Sequence, residues 1–256
     1  MKYNIAINGY GRIGRCVARA LYESRFFYDS LNLVAINEIA CTRTIYHLTR
    51  FDSTHGRFPI PVDQEDGAIL FGQDRVRLFK ENQIGNLPWH DLGVDAVLDC
   101  TGIYNDRQAA ISHIEAGARK VIFSHPAKDE MDATVVFGVN HHCLKKSHTI
   151  ISNASCTTNC LIPILDVIDS CLGIDAGSVT TIHSAMNDQP VIDANCADLR
   201  LCRAAGASIV PVDTRLDKGI ERILPMFAGL FQTTALRVPT PNVTAMDLHV
   251  CLHQPT

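Results

Sequence analysis

The stretch NIAINGYGRIG, residues 4–14, decides the fold. Asn4, Ile5, Ala6, Ile7 and Asn8 form a short apolar run that enters three spaced glycines, Gly9, Gly11 and Gly14. Ile13, Val17, Ala18 and Leu21 then recur at the spacing of one helix face. A strand, a glycine-rich turn and a helix are the context in which G-x-G-x-x-G carries meaning. Gly9 permits the tight turn, Gly11 lets a pyrophosphate approach the backbone, and Gly14 allows helix and strand to pack closely. The helix start at Arg12 and Ile13 offers N–H groups and a partial positive charge to the phosphates.

The next apolar run, residues 31–36, ends at Asn37 and Glu38. Glu38 lies 24 residues beyond Gly14, where an acid grips a ribose diol. A carboxylate there repels a 2′-phosphate and so favours NAD over NADP; the plainer reading is a solvated loop charge. Further strand patterns occupy residues 94–99, 120–124, 133–137 and 149–151, separated by helical patterns such as 108–116. Together they predict an α/β, Rossmann-type parallel sheet with helices on both faces, over residues 1–154. Ligands gather at the carboxyl ends of such strands, which makes Thr101, Gly102 and Ser124 cofactor-contact candidates. Residues 58–80, with turn signals at Asp66-Gly67 and Phe71-Gly72, read as a hairpin insertion.

Bulk properties narrow the classes. The chain has 256 residues, 46% hydrophobic and 20% charged, with a net charge of −4. That suits a globular protein of one large or two modest domains and argues against nucleic-acid binding through bulk charge. No apolar run reaches the roughly 20 residues of a membrane span, and Asn8 and Gly9 interrupt any signal-peptide core. The ten cysteines are scattered without a C-x-x-C pair, which argues for free thiols in a reducing, cytoplasmic compartment and against a metal site.

One cysteine stands apart. SNASCTTNC, residues 152–160, surrounds Cys156 with hydroxyl and amide side chains. Ser155 reads as an N-cap and Cys156 as the first residue of a helix that runs through Ile164, Leu165 and Ile168. Pro163 must lie in that helix's first turns or kink it. A free thiol has a pKa of about 8.5. Making it mostly thiolate at neutral pH takes about 3–4 kcal/mol. A helix terminus supplies at most about 2 kcal/mol, so a cationic partner is needed. His183, at the polar end of the alternating run 178–184, is the candidate. Taken alone among eleven histidines, it also reads as a satisfied core residue.

These stretches together resemble the glyceraldehyde-3-phosphate dehydrogenase family. The matching residues are Asn8 to Arg15 (NGYGRIGR), FDSTHG at 51–56, DCTG at 99–102, SCTTN at 155–159, TIH at 181–183, NDQ at 187–189 and RVPT at 237–240. The resemblance implies NAD as cofactor, Cys156 as nucleophile and His183 as base. It implies phosphate contacts from Ser155, Thr157, Thr214 and Arg237, with Arg200 and Arg215 as further candidates. Arg12 and Ile13 join the three glycines at the cofactor, with no metal. The remaining residues, 155–256, are expected to form an α+β catalytic domain. By the same resemblance that domain lacks its C-terminal part, leaving an inactive NAD-binding remnant as one alternative. A small-molecule sugar phosphate is the expected partner, with neither nucleic acid nor membrane, in a homotetramer. The polar segment 189–208 reads as a solvated loop or, by resemblance, as part of a subunit interface.

Glu38, Met186 and Arg215 depart from the glyceraldehyde pattern and resemble the branch of the family that oxidises D-erythrose 4-phosphate. Met186 removes one hydroxyl from an anion subsite, and Arg215 adds a long cation to another. The phosphorylating glyceraldehyde enzyme is the alternative.

Overall fold

The computed structural model describes residues 2–254, folded as two compact units. Residues up to 135 together with 142–154 form the first, and 136–141 with 155 onward form the second.

The first unit contains, in chain order, β1 (Tyr3–Asn8), α1 (Arg12–Glu23), α2 (Arg25–Ser30), β2 (Leu31–Asn37), α3 (Thr42–Arg50), β3 (Phe51–Asp52) and β4 (Gly56–Arg57). β5 (Val62–Glu65), β6 (Ala68–Phe71), β7 (Asp74–Phe79), β8 (Ala96–Asp99), α4 (Arg107–Glu115), β9 (Val121–Phe123), β10 (Ala133–Thr134) and β11 (Ile150–Ser152) follow. Among the described residues nine of these strands make one sheet in the order β10-β11-β9-β8-β1-β2-β7-β6-β5, and β3 pairs with β4 apart from it. All neighbours from β10 to β7 run parallel, and β5 and β6 close one edge as antiparallel hairpins. β1 is flanked by β2 and β8, so the chain builds one half of the sheet, returns and builds the other. That reversal is where open α/β sheets bind ligands.

The strands are covered on both faces, as parallel sheets require. Ile5 and Ile7 of β1 pack with Ala18 and Leu21 of α1, Ile45 of α3 and Phe71. Ala6, Ala35 and Val97 face the other way, onto Leu87, Trp89, Val94 and Ala118. α4 lays Ala110 against Val121, Phe123 and Ile150. The hairpin insertion over 58–80 is present as β5–β7, with left-handed Gly67 and Gly72 in its turns. The strand expected over 133–137 is shorter. It stops at Thr134, because the Val136 N–H is taken by the Asn140 side chain (2.7 Å) in a turn.

The second unit contains α5 (Cys156–Leu172), β12 (Ile174–Ser184), β13 (Val210–Val212), α6 (Leu216–Ile223), β14 (Phe231–Val238) and β15 (Thr244–Leu252). Its sheet has the order β13-β14-β12-β15, with β12 and β14 parallel and the other pairs antiparallel. α5 begins at a Ser155 cap and ends at Gly173, whose φ of 72° no β-carbon tolerates well. Pro163 sits inside α5, beyond the first turn, where its ring removes one ladder hydrogen bond. Leu161, Ile162 and Leu165 are fully buried on the helix's inner face. The segment 185–209 carries neither helix nor strand. Its part from 189 to 208 reads as polar in the sequence, yet Val191, Ile192 and Leu199 are exposed there, and Ile209 just beyond.

Candidate active site

The glycine loop of the first unit has the shape a dinucleotide needs. Gly9 adopts φ 84°, and a β-carbon there would lie 2.6 Å from the Thr101 backbone nitrogen. A β-carbon on Gly14 would lie 2.3 Å from the Gly9 carbonyl oxygen. On Gly11, which caps α1, it would meet nothing within 4 Å. Two glycines are thus demanded by packing and the third leaves room at a helix N-terminus, the side from which a phosphate comes. Arg12 and Ile13 open the helix, with the Ile13 side chain half exposed.

Glu38 follows the last residue of β2. Its Oε2 accepts the Tyr10 N–H at 2.7 Å and its Oε1 accepts the Ala40 N–H at 3.2 Å. The carboxylate therefore braces the glycine loop, a link the sequence did not reveal, and each oxygen keeps acceptor capacity for a ribose diol. Thr101 and Gly102 follow β8, and Gly102 has φ 68°. Ser124 follows β9, its hydroxyl 3.5 Å from His125 Nδ1. All of these lie at the carboxyl ends of parallel strands. The open face at Gly11, the helix terminus and the placed carboxylate fit a dinucleotide such as NAD.

The second unit holds Cys156 and His183. Ser155 Oγ accepts the Thr158 N–H at 3.0 Å and lies 2.9 Å from Thr157 Oγ1. That cap starts the helix at Cys156, whose Sγ is 3.6 Å from His183 Nε2. His183 Nδ1 is 2.8 Å from the Ser184 carbonyl oxygen, which can only accept. Nδ1 therefore carries a proton, and Nε2 is free to take one from the thiol. The hydrogen bond to His183 pulls the Cys156 pKa down; burial opposes this, and the imidazolium charge and helix-terminal N–H groups add to it. The same bond raises the His183 pKa, with burial and the Arg237 charge working against it.

Arg237 sits opposite His183 in the β12–β14 register. Its guanidinium reaches the Ser184 carbonyl (3.4 Å) and the Asp188 carboxylate (3.3 Å). Cys156, His183 and Arg237 thus follow one another across the site, and the Ser155 and Thr157 hydroxyls stand at the helix start beside Cys156. Thr214 Oγ1 accepts the Leu216 N–H at the start of α6, and Arg215 is exposed as that helix's N-cap residue. Met186 is 46% exposed. Arg200 departs from the expected phosphate role: its guanidinium is bound to Asp198 (2.8 Å) and Asp213 (3.1 Å). Two carboxylates already balance its charge, so it does not present an open anion site.

Cys41 went unnoticed in the sequence. It is exposed at the N-terminus of α3, and the Thr44 hydroxyl (3.0 Å) and N–H pull its pKa down. The Cys-x-x-Thr spacing at a helix start was the available signal. Burial instead pushes Cys100 up to about 12.

Comparison with known protein families gives two matches. Residues 3–107 match the NAD binding domain of glyceraldehyde 3-phosphate dehydrogenase, and residues 155–256 match the C-terminal domain of glyceraldehyde 3-phosphate dehydrogenase.

Proposed function

For a chain that carries both the NAD-binding and the C-terminal domains of the glyceraldehyde 3-phosphate dehydrogenase family, we propose oxidation of a sugar-phosphate aldehyde through a thioester on Cys156. The substrate in this reading is D-erythrose 4-phosphate and the product 4-phosphoerythronate, on a route to pyridoxal 5′-phosphate in the cytoplasm. The observation that carries the chemistry is the 3.6 Å contact between Cys156 Sγ and His183 Nε2.

The Cys156 thiolate attacks the aldehyde carbon, forming a C–S bond while the carbonyl electrons pass to oxygen. The Cys156 N–H and the protonated His183 ring stabilise that oxygen. His183 gives its Nε2 proton to that oxygen, making the hydroxyl of a hemithioacetal, and the ring so neutralised takes the proton back as the carbon loses hydride. Bound NAD supplies the hydride acceptor. Gly9, Gly11, Gly14 and Glu38 would hold it, and Thr101, Gly102 and Ser124 would border it. The thioester left on Cys156 is cleaved by water, which releases the acid and restores the thiolate. Ser155, Thr157, Thr214 and Arg237 hold the phosphate by hydroxyl and guanidinium hydrogen bonds.

The four-carbon substrate is supported by Met186 and Arg215, which remodel phosphate handling relative to the glyceraldehyde pattern. The test is NADH production from erythrose 4-phosphate and from glyceraldehyde 3-phosphate, each with and without inorganic phosphate. The expected result is preference for the four-carbon sugar, without need for phosphate. Preference for the three-carbon substrate with phosphate required would transfer the chain to the phosphorylating reaction. Absence of turnover in a sample that binds NAD would leave only the cofactor domain functional. Replacing His183 with Asn should lower kcat by about 10²–10⁴. A homotetramer is the assembly that accompanies this reading, and sedimentation measures it directly.

A further inference from the structure

The last residues of β1, β2 and β8 are Asn8, Asn37 and Asp99, adjacent in the parallel register. Their side chains form one buried row across the carboxyl edge of the sheet. Asn37 Nδ2 donates to Asn8 Oδ1 (2.8 Å), and Asn8 Nδ2 donates to Asp99 Oδ2 (2.8 Å). Asn37 is itself fixed by the Glu81 backbone, giving to its carbonyl at 2.9 Å and taking its N–H at 2.9 Å. The other end of the row runs through His113 of α4, 3.3 Å from Asp99 Oδ2, to Trp89. Asp99, His113 and Trp89 are all fully buried.

The donor inventory fixes the direction of this chain. Trp89 Nε1 can only donate, and it reaches His113 Nδ1 at 3.0 Å. Nδ1 therefore accepts, and the ring proton sits on Nε2, aimed at Asp99. The 3.4 Å approach of Asn8 Nδ2 to the same Nε2 follows because both donate to one oxygen. That leaves Asp99 Oδ1 for the other side of the row. It accepts the Thr101 N–H (3.1 Å) and the Thr101 hydroxyl (2.7 Å). The Thr101 hydroxyl accepts in turn from the N–H of Ile103 (3.2 Å) and Tyr104 (3.4 Å). Four donors converge on Asp99, the full set a buried carboxylate needs. One of its oxygens serves the core, and the other shapes the turn that presses on Gly9.

We propose that Asp99, oriented by His113 and Trp89, is a positioning residue for the cofactor: it sets the Thr101–Gly102 turn against the glycine loop and so pre-forms the NAD cradle. The inference rests on NAD binding by this unit and is independent of which aldehyde is oxidised. A network that only glued the fold together would end within the core. This one ends on a turn with left-handed Gly102, exposed at the strand edge. Pre-forming such a turn removes an ordering cost from binding.

The test measures NAD affinity by calorimetry and the thermal midpoint in the same samples. Trp89→Phe removes one donor and keeps the ring. His113→Leu removes the donor to Asp99, and His113→Gln returns an N–H near the Nε2 position. Phe71→Leu, on β6 in the core cluster it shares with Ile5 and Ile7 of β1 and with no hydrogen bond to the Asp99 row, controls for general loosening of the same unit. The expected result is a Kd for NAD raised about threefold in Trp89→Phe and about tenfold in His113→Leu. His113→Gln should recover most of the loss, and Phe71→Leu should lower the midpoint with Kd unchanged within twofold. Trp89 is the chain's one tryptophan, so its emission reports the His113 bond in every variant that keeps it. Should His113→Leu fail to fold, Trp89→Phe and His113→Gln decide. Unchanged affinity in Trp89→Phe, or a Kd that tracks the midpoint as it does in Phe71→Leu, would overturn the assignment.

Discussion

Two neighbours draw the Cys156 thiol toward ionisation, the His183 ring and the N–H groups of the helix it opens. The thiol pKa is lowered mainly by the His183 hydrogen bond. Ionisation should therefore persist at pH values below the ordinary thiol range of about 8.5, whereas burial keeps Cys100 protonated well above it. With iodoacetamide, Cys156 should be carboxamidomethylated first at neutral pH, its advantage shrinking above that point. Cys41 is the expected competitor, so the measurement belongs in a Cys41→Ser background. There, His183→Asn should slow Cys156 labelling by about tenfold at pH 7 and shift its profile upward. An unshifted profile would remove His183 as the activating partner. Cys156 and its helix start were legible in the sequence because the cap is local: Ser155 and Thr158 are three residues apart. The Asp99–His113–Trp89 chain was not, since its members lie on a strand, a helix and a loop and meet only in the folded sheet. Arg200 misled for a related reason, because Asp213 approaches it from thirteen residues away.

Helices α5 and α6 show how packing overrides local preference. Gly219 lies inside α6, where alanine would normally gain about 1 kcal/mol. A β-carbon there, however, would sit 2.7 Å from Thr158 Oγ1. Thr158 cannot easily turn away, since its hydroxyl is 2.7 Å from the Ser155 cap. Gly219→Ala should therefore lower stability, as read by urea unfolding, despite the better helix former. Adding Thr158→Ala should relieve the clash, and equal losses in single and double variants would disprove the contact's importance. Neither this helix nor the reason for its glycine was read from the sequence. β10 is similar, for the apolar run 133–137 promised a strand, and only the Asn140 side chain, four residues after Val136, shows why it stops short.

Across the molecule, the two units divide the chemistry, with the nucleotide cradle in one and the thiol and its base in the other. The division was visible in the change from strand-glycine-helix units to the hydroxyl-rich cysteine motif. The exposed apolar side chains between residues 185 and 209 were not, because Asp188, Asp193, Asp198, Arg200 and Arg203 are interspersed among them. If the cradle is placed correctly, saturating NAD should slow amide exchange at residues 9–14, 37–40 and 99–104. At a hundredfold excess over Kd the bound state gains about 2.7 kcal/mol, enough to read by mass spectrometry. Absence of protection in those three segments would displace the cofactor from the glycine loop. The row of strand-end side chains also governs how this protein ages. Asn8-Gly9 is the dipeptide most prone to deamidation, which requires the glycine nitrogen to swing onto the asparagine side-chain carbon. Here the Gly9 N–H is committed to the Asn37 carbonyl at 2.9 Å, and both ends of the Asn8 amide are held by Asn37 and Asp99. Cyclisation to succinimide is blocked while the sheet stays closed, so chemical wear at this bond keeps time with unfolding and not with the clock.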